Sequence, residues 1–194
     1  RKYSAQIEPG VLLITAGVDT QGDRLEVYIW GHGLNGQMWL IEYEILRPPE
    51  GRRNDHPLAW EQLETVRRRT YMHPCGVEMP IAAMAVDTGG GYENQAYKFV
   101  KGKHGQRCFA IKGSSQHGKP LLVKPTISNK GNVMLYVFGT DTAKRTLFGR
   151  LRAKKQSEQG YINLPDFIDD EVCRQILSEK LKLVRERSKR GDFV

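Results

Sequence analysis

Two apolar runs in this chain each stop at an aspartate followed by a threonine: Leu12 to Val18 before Asp19-Thr20, and Ile81 to Val86 before Asp87-Thr88. Runs this short and this apolar suit strands buried in a sheet. A carboxylate at the carboxyl end of a buried strand is held on rigid backbone at a sheet edge, and if two such strands are neighbours their carboxylates converge. Converging carboxylates repel unless a divalent cation lies between them, and Mg²⁺ or Mn²⁺ accepts hard oxygen donors while keeping waters and substrate phosphates as its other ligands. Each aspartate taken singly reads as a turn former, since Asp-Thr-Gln-Gly and Asp-Thr-Gly-Gly suit tight turns. Their matching contexts point instead to metal ligation by Asp19 and Asp87.

The chain's 194 residues, 39% hydrophobic and 27% charged, have the composition of one folded domain. No stretch approaches the ~20 consecutive apolar residues of a membrane span, so no membrane partner is expected. Thirty Lys and Arg against 22 Asp and Glu leave a net charge of +8, which favours nucleic acid as the partner. Cys75, Cys108 and Cys173 form no CxxC pair and one is left over, so neither a disulfide framework nor a zinc ribbon is indicated and a reducing, cytoplasmic setting is expected. The first residue is Arg1, and no apolar signal core follows it, which reads as an excised fragment with no export signal.

Asp19 is followed by a turn and by alternating Leu25, Val27 and Ile29. A second turn precedes Met38 to Glu44, so the first third reads as a three-strand antiparallel meander. Pro57, after Asp55 or His56, opens a helix with Ala59, Leu63, Val66 and Thr70 on one face and Arg67 to Arg69 largely facing away. The strand ending at Asp87 leads to a helix from Glu93 to Lys103 and a strand from Arg107 to Ile111. Loops rich in Gly, Ser, Asn and Lys at 113–120 and 128–132 flank a possible hairpin, and Val133 to Phe138 is a further strand. Thr140 or Asp141 caps a helix with Ala143, Leu147, Phe148 and Leu151 on one face, and residues 170–187 form a last amphipathic helix. This order on one mixed sheet is the ribonuclease H-like α/β arrangement.

Residues 113–120 imitate a phosphate-binding P-loop, but Pro120 replaces its hydroxyl residue and no helix follows, which excludes nucleotide binding there. Lys112 and Lys119 are candidate contacts to a phosphate backbone, with solvated loop lysines as the even alternative. The histidines have no HExxH spacing, and no serine or cysteine sits in a nucleophile motif.

The segments from Gly17 to Glu26, Ala85 to Gly90, Ile111 to Pro120 and Gly139 to Lys144, in this order, resemble the nuclease domain of a lambda-type (GpA family) large terminase subunit of tailed bacteriophages. The resemblance implies a single nuclease domain over residues 1–194 with a ribonuclease H-like fold, using one or two Mg²⁺ or Mn²⁺ to cut concatemeric viral DNA by two-metal phosphodiester hydrolysis during packaging. It implies that Asp19 and Asp87 are the metal-binding aspartates and that Lys119 is the important basic position of a Gly-Lys-Pro loop. Double-stranded DNA, a small terminase subunit that chooses the site and the procapsid portal are the implied partners, in the cytoplasm of the host. The family's N-terminal packaging ATPase and its C-terminal acidic segment have no counterpart here. Asp166, Asp169, Asp170 and Glu179 are the nearby acidic substitutes, though Asp169 and Asp170 read better as a helix start. Two other readings compete: an ATPase of the actin and sugar-kinase superfamily, disfavoured by size, and a non-catalytic DNA-binding or protein-docking module.

Overall fold

The computed structural model describes residues 7–89, 92–156, 158–166, 168, 173, 174 and 178. Strands β1 (Leu13–Thr20), β2 (Leu25–His32) and β3 (Met38–Leu46) form the expected antiparallel meander. Helix α1 (Pro57–Arg67) starts at its sequence signal: His56 Nδ1 accepts from the Leu58 N–H at 3.2 Å, and Pro57 takes a first-turn position that needs no N–H.

Thr70 does not join the buried face of α1. The helix ends at Arg67, and Thr70 opens a short strand, β4 (Thr70–Met72), that hairpins onto β5 (Glu78–Asp87). Helix α2 (Glu93–Val100) stops short of Lys103 because the chain turns at Gly102, whose φ of +75° lies in the left-handed region. Strand β6 (Cys108–Ser114) runs past Ile111 and so takes Lys112 out of the loop. A two-residue strand, β7 (Thr126–Ile127), hairpins onto β8 (Met134–Gly139), which feeds α3 (Thr140–Arg150). Neither Thr140 nor Asp141 caps α3: Gly139 holds that position, and the Thr140 hydroxyl donates to Ser114 O at 3.0 Å. Of the apolar face expected on α3 only Phe148 is buried, and Leu147 and Leu151 are partly exposed. The last strand among the described residues is β9 (Ile162–Asn163), and the helix expected at 170–187 falls almost wholly outside them.

The strands lie in the order β7-β8-β6-β5-β1-β2-β3-β9, with β4 attached to β5. β1, β5, β6 and β8 are mutually parallel neighbours, with α2 as the crossover between β5 and β6. An antiparallel meander joined through its first strand to a parallel set is the ribonuclease H-like α/β fold expected from the sequence.

One face of the sheet packs Ile14, Ala16, Val18, Val27, Ile29 and Val86 against α1 and α2, which meet each other where the Trp60 and Phe99 rings lie 5.7 Å apart. Side chains alternate along a strand, so Thr15, Gly17 and Asp19 stand on the other face.

The arginines at the end of α1 and just after it are engaged in ion pairs. Glu64 accepts from Arg67 and from Arg68, each at 2.7 Å, and lies 3.3 Å from Lys103 Nζ, while Arg69 reaches Glu42 at 2.7 Å and Glu44 at 3.0 Å. The hydrogen bond from Arg67, then those from its other partners, pulls the Glu64 carboxyl from 4.5 down to about 2 against a smaller opposing effect of burial. A depressed carboxyl stabilises the fold above its unfolded value and stops doing so as pH falls through its folded value. Replacing Glu64 with Gln is therefore expected to cost about 1 kcal/mol at neutral pH, allowing for solvent screening. Urea melts of the two proteins should converge as pH falls from about 4.5 toward about 2.

Candidate functional site

Parallel pairing of β1 with β5 aligns Gly17 with Ala85 and Val18 with Val86, so the next residues, Asp19 and Asp87, stand side by side at the carboxyl edge on the face away from α1 and α2. Each is followed by a threonine that turns back toward the buried face and ties its strand to the next. Thr20 Oγ1 donates to Asp87 O at 2.8 Å, and Thr88 Oγ1 donates to Ile111 O at 3.0 Å. Both threonines are almost fully buried, at 2% and 1% exposure, so these bonds are shielded from water.

The carboxylates themselves are oriented locally. Gly89 N–H donates to Asp87 Oδ1 at 2.8 Å, and the Gln21 side-chain amide donates to Asp19 Oδ2. Gln21 lies in the β1–β2 turn, which fully buried Asn54 clamps: its Nδ2 donates to Gln21 O and Arg24 O, each at 2.6 Å. Trp60 Nε1 fixes Asn54 in turn, donating to its carbonyl at 2.8 Å.

Directly across from Asp19 on β2 is Glu26. Arg24 Nε donates to it at 2.7 Å, and the Tyr28 and Tyr43 hydroxyls, on rings stacked 4.7 Å apart, donate at 3.1 and 3.2 Å. Burial pushes the Asp19 carboxyl above the usual carboxylate range; the Gln21 amide opposes this, and the charges of Asp87 and Glu26 add to it. Glu26 is held in place by its own partners, away from any shared ligand role. Asp19 and Asp87 remain as adjacent like charges whose repulsion a divalent cation relieves, and their hard oxygen donors suit Mg²⁺ or Mn²⁺. Among the described residues no group of three or more His, Cys, Asp or Glu is placed to hold a metal. A pair of carboxylates still fits an ion of the Mg²⁺ type, which commonly takes one or two protein carboxylates and completes its shell with water and phosphate.

The two candidate lysines are not brought together. Ile111 pairs with Asp87, so alternation sends Lys112 to the opposite face, where its charge acts on Glu93 at the start of α2. Lys119 lies in the loop that crosses the β8–α3 junction. There Lys119 O accepts from Thr142 Oγ1 at 2.7 Å, and a Cβ at Gly139 would come 2.2 Å from the same carbonyl. The loop is thus seated on the one residue that leaves it room. His117 in that loop meets the carboxylate of Asp141. Reasoning from sequence missed Thr20, Thr88, Gln21, Arg24, Glu26 and Asn54. The repeated Asp-Thr pair was the one local signal for the threonines.

A meander and a parallel set sharing one sheet, with carboxylates ending the central strand and its parallel neighbour, define a ribonuclease H-like domain with a candidate metal-binding edge. Residues 1–193 match the family of the terminase large subunit gpA endonuclease domain, and the chain belongs to that family. It is 35% identical over 185 residues to the terminase large subunit of Escherichia phage lambda and 31% identical over 185 residues to that of Enterobacteria phage P21. These alignments take in 92% and 93% of the chain but 28% of each relative, so the chain spans just over a quarter of their length. A solved structure, the nuclease domain of the large terminase g2p from bacteriophage SPP1 with bound Mn, aligns with a TM-score of 0.44 at 14% identity, covering 91% of this chain and 76% of that one.

Two outcomes follow from the tie and the repulsion. Thr20→Val, which keeps the shape and removes the donor, should weaken Mn²⁺ binding measured by calorimetry by about 10-fold, and Thr20→Ser should restore it. In metal-free buffer Asp19→Asn should raise the thermal midpoint at neutral pH. A raised carboxyl opposes folding above its folded value, so this gain should shrink as pH falls toward the ordinary 3.8.

Proposed function

We propose that this domain is a metal-dependent DNA endonuclease that cuts concatemeric viral DNA during packaging. The observation that carries the reading is the convergence of Asp19 and Asp87 on adjacent parallel strand ends, on one face of the sheet. Family membership supports hydrolysis of DNA over phosphoryl transfer from ATP.

In this reading Asp19 and Asp87 hold one or two Mg²⁺ or Mn²⁺ ions. When bound, the metal supplies a Lewis acid that neutralises charge on the phosphodiester and makes a water more acidic. The protein's own part is positional. Thr20 fixes the spacing of the two strand ends, Thr88 anchors the β5 end to β6, the Gln21 amide holds the Asp19 carboxylate in one orientation, and the Gly89 N–H does the same for Asp87. Glu26, held by Arg24 and two tyrosines, gives the Asp19 side of the site a fixed negative background that favours a cation.

Lys119 places the DNA backbone from its seated loop, a contact that fixes register without reading sequence. Choice of the cutting site therefore belongs to a partner, the small terminase subunit, with the procapsid portal receiving the DNA and the host cytoplasm as the setting. No helix among the described residues is long and apolar enough to cross a membrane.

The test is incubation of supercoiled plasmid at low salt with Mn²⁺, Mg²⁺ or EDTA, beside Asp19→Asn and Asp87→Asn proteins shown by circular dichroism to be folded. Nicking that needs metal and is lost in both variants is the expected result. Equal nicking by wild type and variants would sink the assignment of the two aspartates. No nicking by the folded wild-type chain in either metal would favour a binding module instead.

A further inference from the structure

We infer that the cleft between α2 and the turn joining β7 to β8 is a second seat for the DNA phosphate backbone, an inference that rests on the nuclease reading above. The cleft has a volume of about 290 Å³ and is lined by Asn94, Tyr97, Lys98, Lys101, Lys130 and Gly131. Three of these six residues are lysines and none is acidic.

The concavity is built by packing. A Cβ at Gly131 would come 2.6 Å from the Tyr97 ring, so only glycine lets the turn lie flat on α2. The turn closes on itself, with Ser128 N–H donating to Val133 O and Asn132 N–H donating to Ser128 O, both at 2.9 Å. Lys130 is drawn to the α2 end of the cleft by its ion pair with Glu93. Lys98 and Lys101 are exposed, Lys98 in the last turn of α2 and Lys101 at its C-cap three residues on, and both line the cleft. Glu93, the neighbouring carboxylate, is already paired with Lys130 and also feels Lys112.

Position gives the cleft its meaning. Helix α2 begins five residues after Thr88 and packs on β5 and β6, so its first turn lies close to the carboxyl edge that carries Asp87. Eight residues of helix extend about 12 Å, which matches three or four phosphates of one strand at ~3.4 Å each. Lys112, which alternation turns toward this face, links the strip to the edge. Lysines on a convex helix face are ordinarily solvated and contribute little. Here they converge on a hollow on the helix-bearing face of the sheet, with no acid among the lining residues to compete for them.

Each phosphate contact contributes about 0.9 to the slope of log K against log salt. The experiment is fluorescence anisotropy of a short labelled duplex in EDTA, which excludes cleavage, over roughly 50 to 200 mM salt. Lys98→Ala/Lys101→Ala should reduce the magnitude of the slope by about 1.8, with circular dichroism unchanged, and Lys98→Arg/Lys101→Arg should restore it. The charge-matched control is Lys154→Ala/Lys155→Ala, two exposed positions elsewhere, expected to keep the wild-type slope. Wild-type slope in the Lys98/Lys101 alanine variant, or an equal loss in the control, would overturn the inference and leave the nuclease reading standing. Absence of salt-dependent binding by the wild-type chain would also overturn the inference, while the nuclease reading stands or falls on metal-dependent nicking.

Discussion

Holding two carboxylates side by side in a partly dehydrated position is electrostatically unfavourable, and much of this domain is arranged around doing so. The parallel pairing of β1 with β5 makes Asp19 and Asp87 neighbours. Repulsion acts to splay the strand ends just where the main-chain ladder runs out. The buried threonine that follows each aspartate adds a side-chain bond to a neighbouring strand: Thr20 reaches Asp87 O across the seam, and Thr88 reinforces its own N–H bond to Ile111 O on β6. These bonds sit on the packed face, away from the carboxylates, so they resist splaying without occupying the site. Asn54 and Trp60 add a second brace from α1, fixing the turn that carries Gln21.

The distribution of charge follows the same division between faces. The less covered face holds Asp19, Asp87 and Glu26, with Arg24 committed to Glu26 and to Asp23. The helix-bearing face holds Lys98, Lys101, Lys112 and Lys130. At this sheet edge the acidic centre favours a cation and repels an anion. Beside that centre lies a basic flank that attracts the anion without help. The net charge of +8 conceals this contrast, because a whole-chain sum says nothing about which side of a strand each residue occupies.

How much was legible in the sequence follows from whether a signal is local. The strand runs ending at Asp19 and Asp87, and the meander after the first of them, were legible because burial and alternation are written into neighbouring residues. So was the start of α1, where His56 and Pro57 act within one turn. Strand β4 was hidden because Thr70 also satisfies the helical spacing set by Leu63 and Val66, and only pairing with β5 decides the matter. Lys112 was grouped with Lys119 as a loop lysine because nothing local shows that β6 continues to Ser114. Thr20, Asn54 and Glu26 escaped notice for a shared reason. Each is a polar residue near a turn, and its partners are chosen by register between strands or by a helix many residues away.

Thr20 and Asp87 meet across a seam whose two sides are separated in the chain by all of β2, β3, α1 and β4. Contacts so distant in sequence form late in folding, because the intervening chain must be ordered before they are made. The seam also lies in the middle of the sheet, and central strands open last, in the same event that unfolds the domain. A form of the chain in which this seam is open therefore does not hold the two aspartates side by side. The paired carboxylates come into being with the completed fold and disappear with it, so any chemistry built on them is confined to the native state.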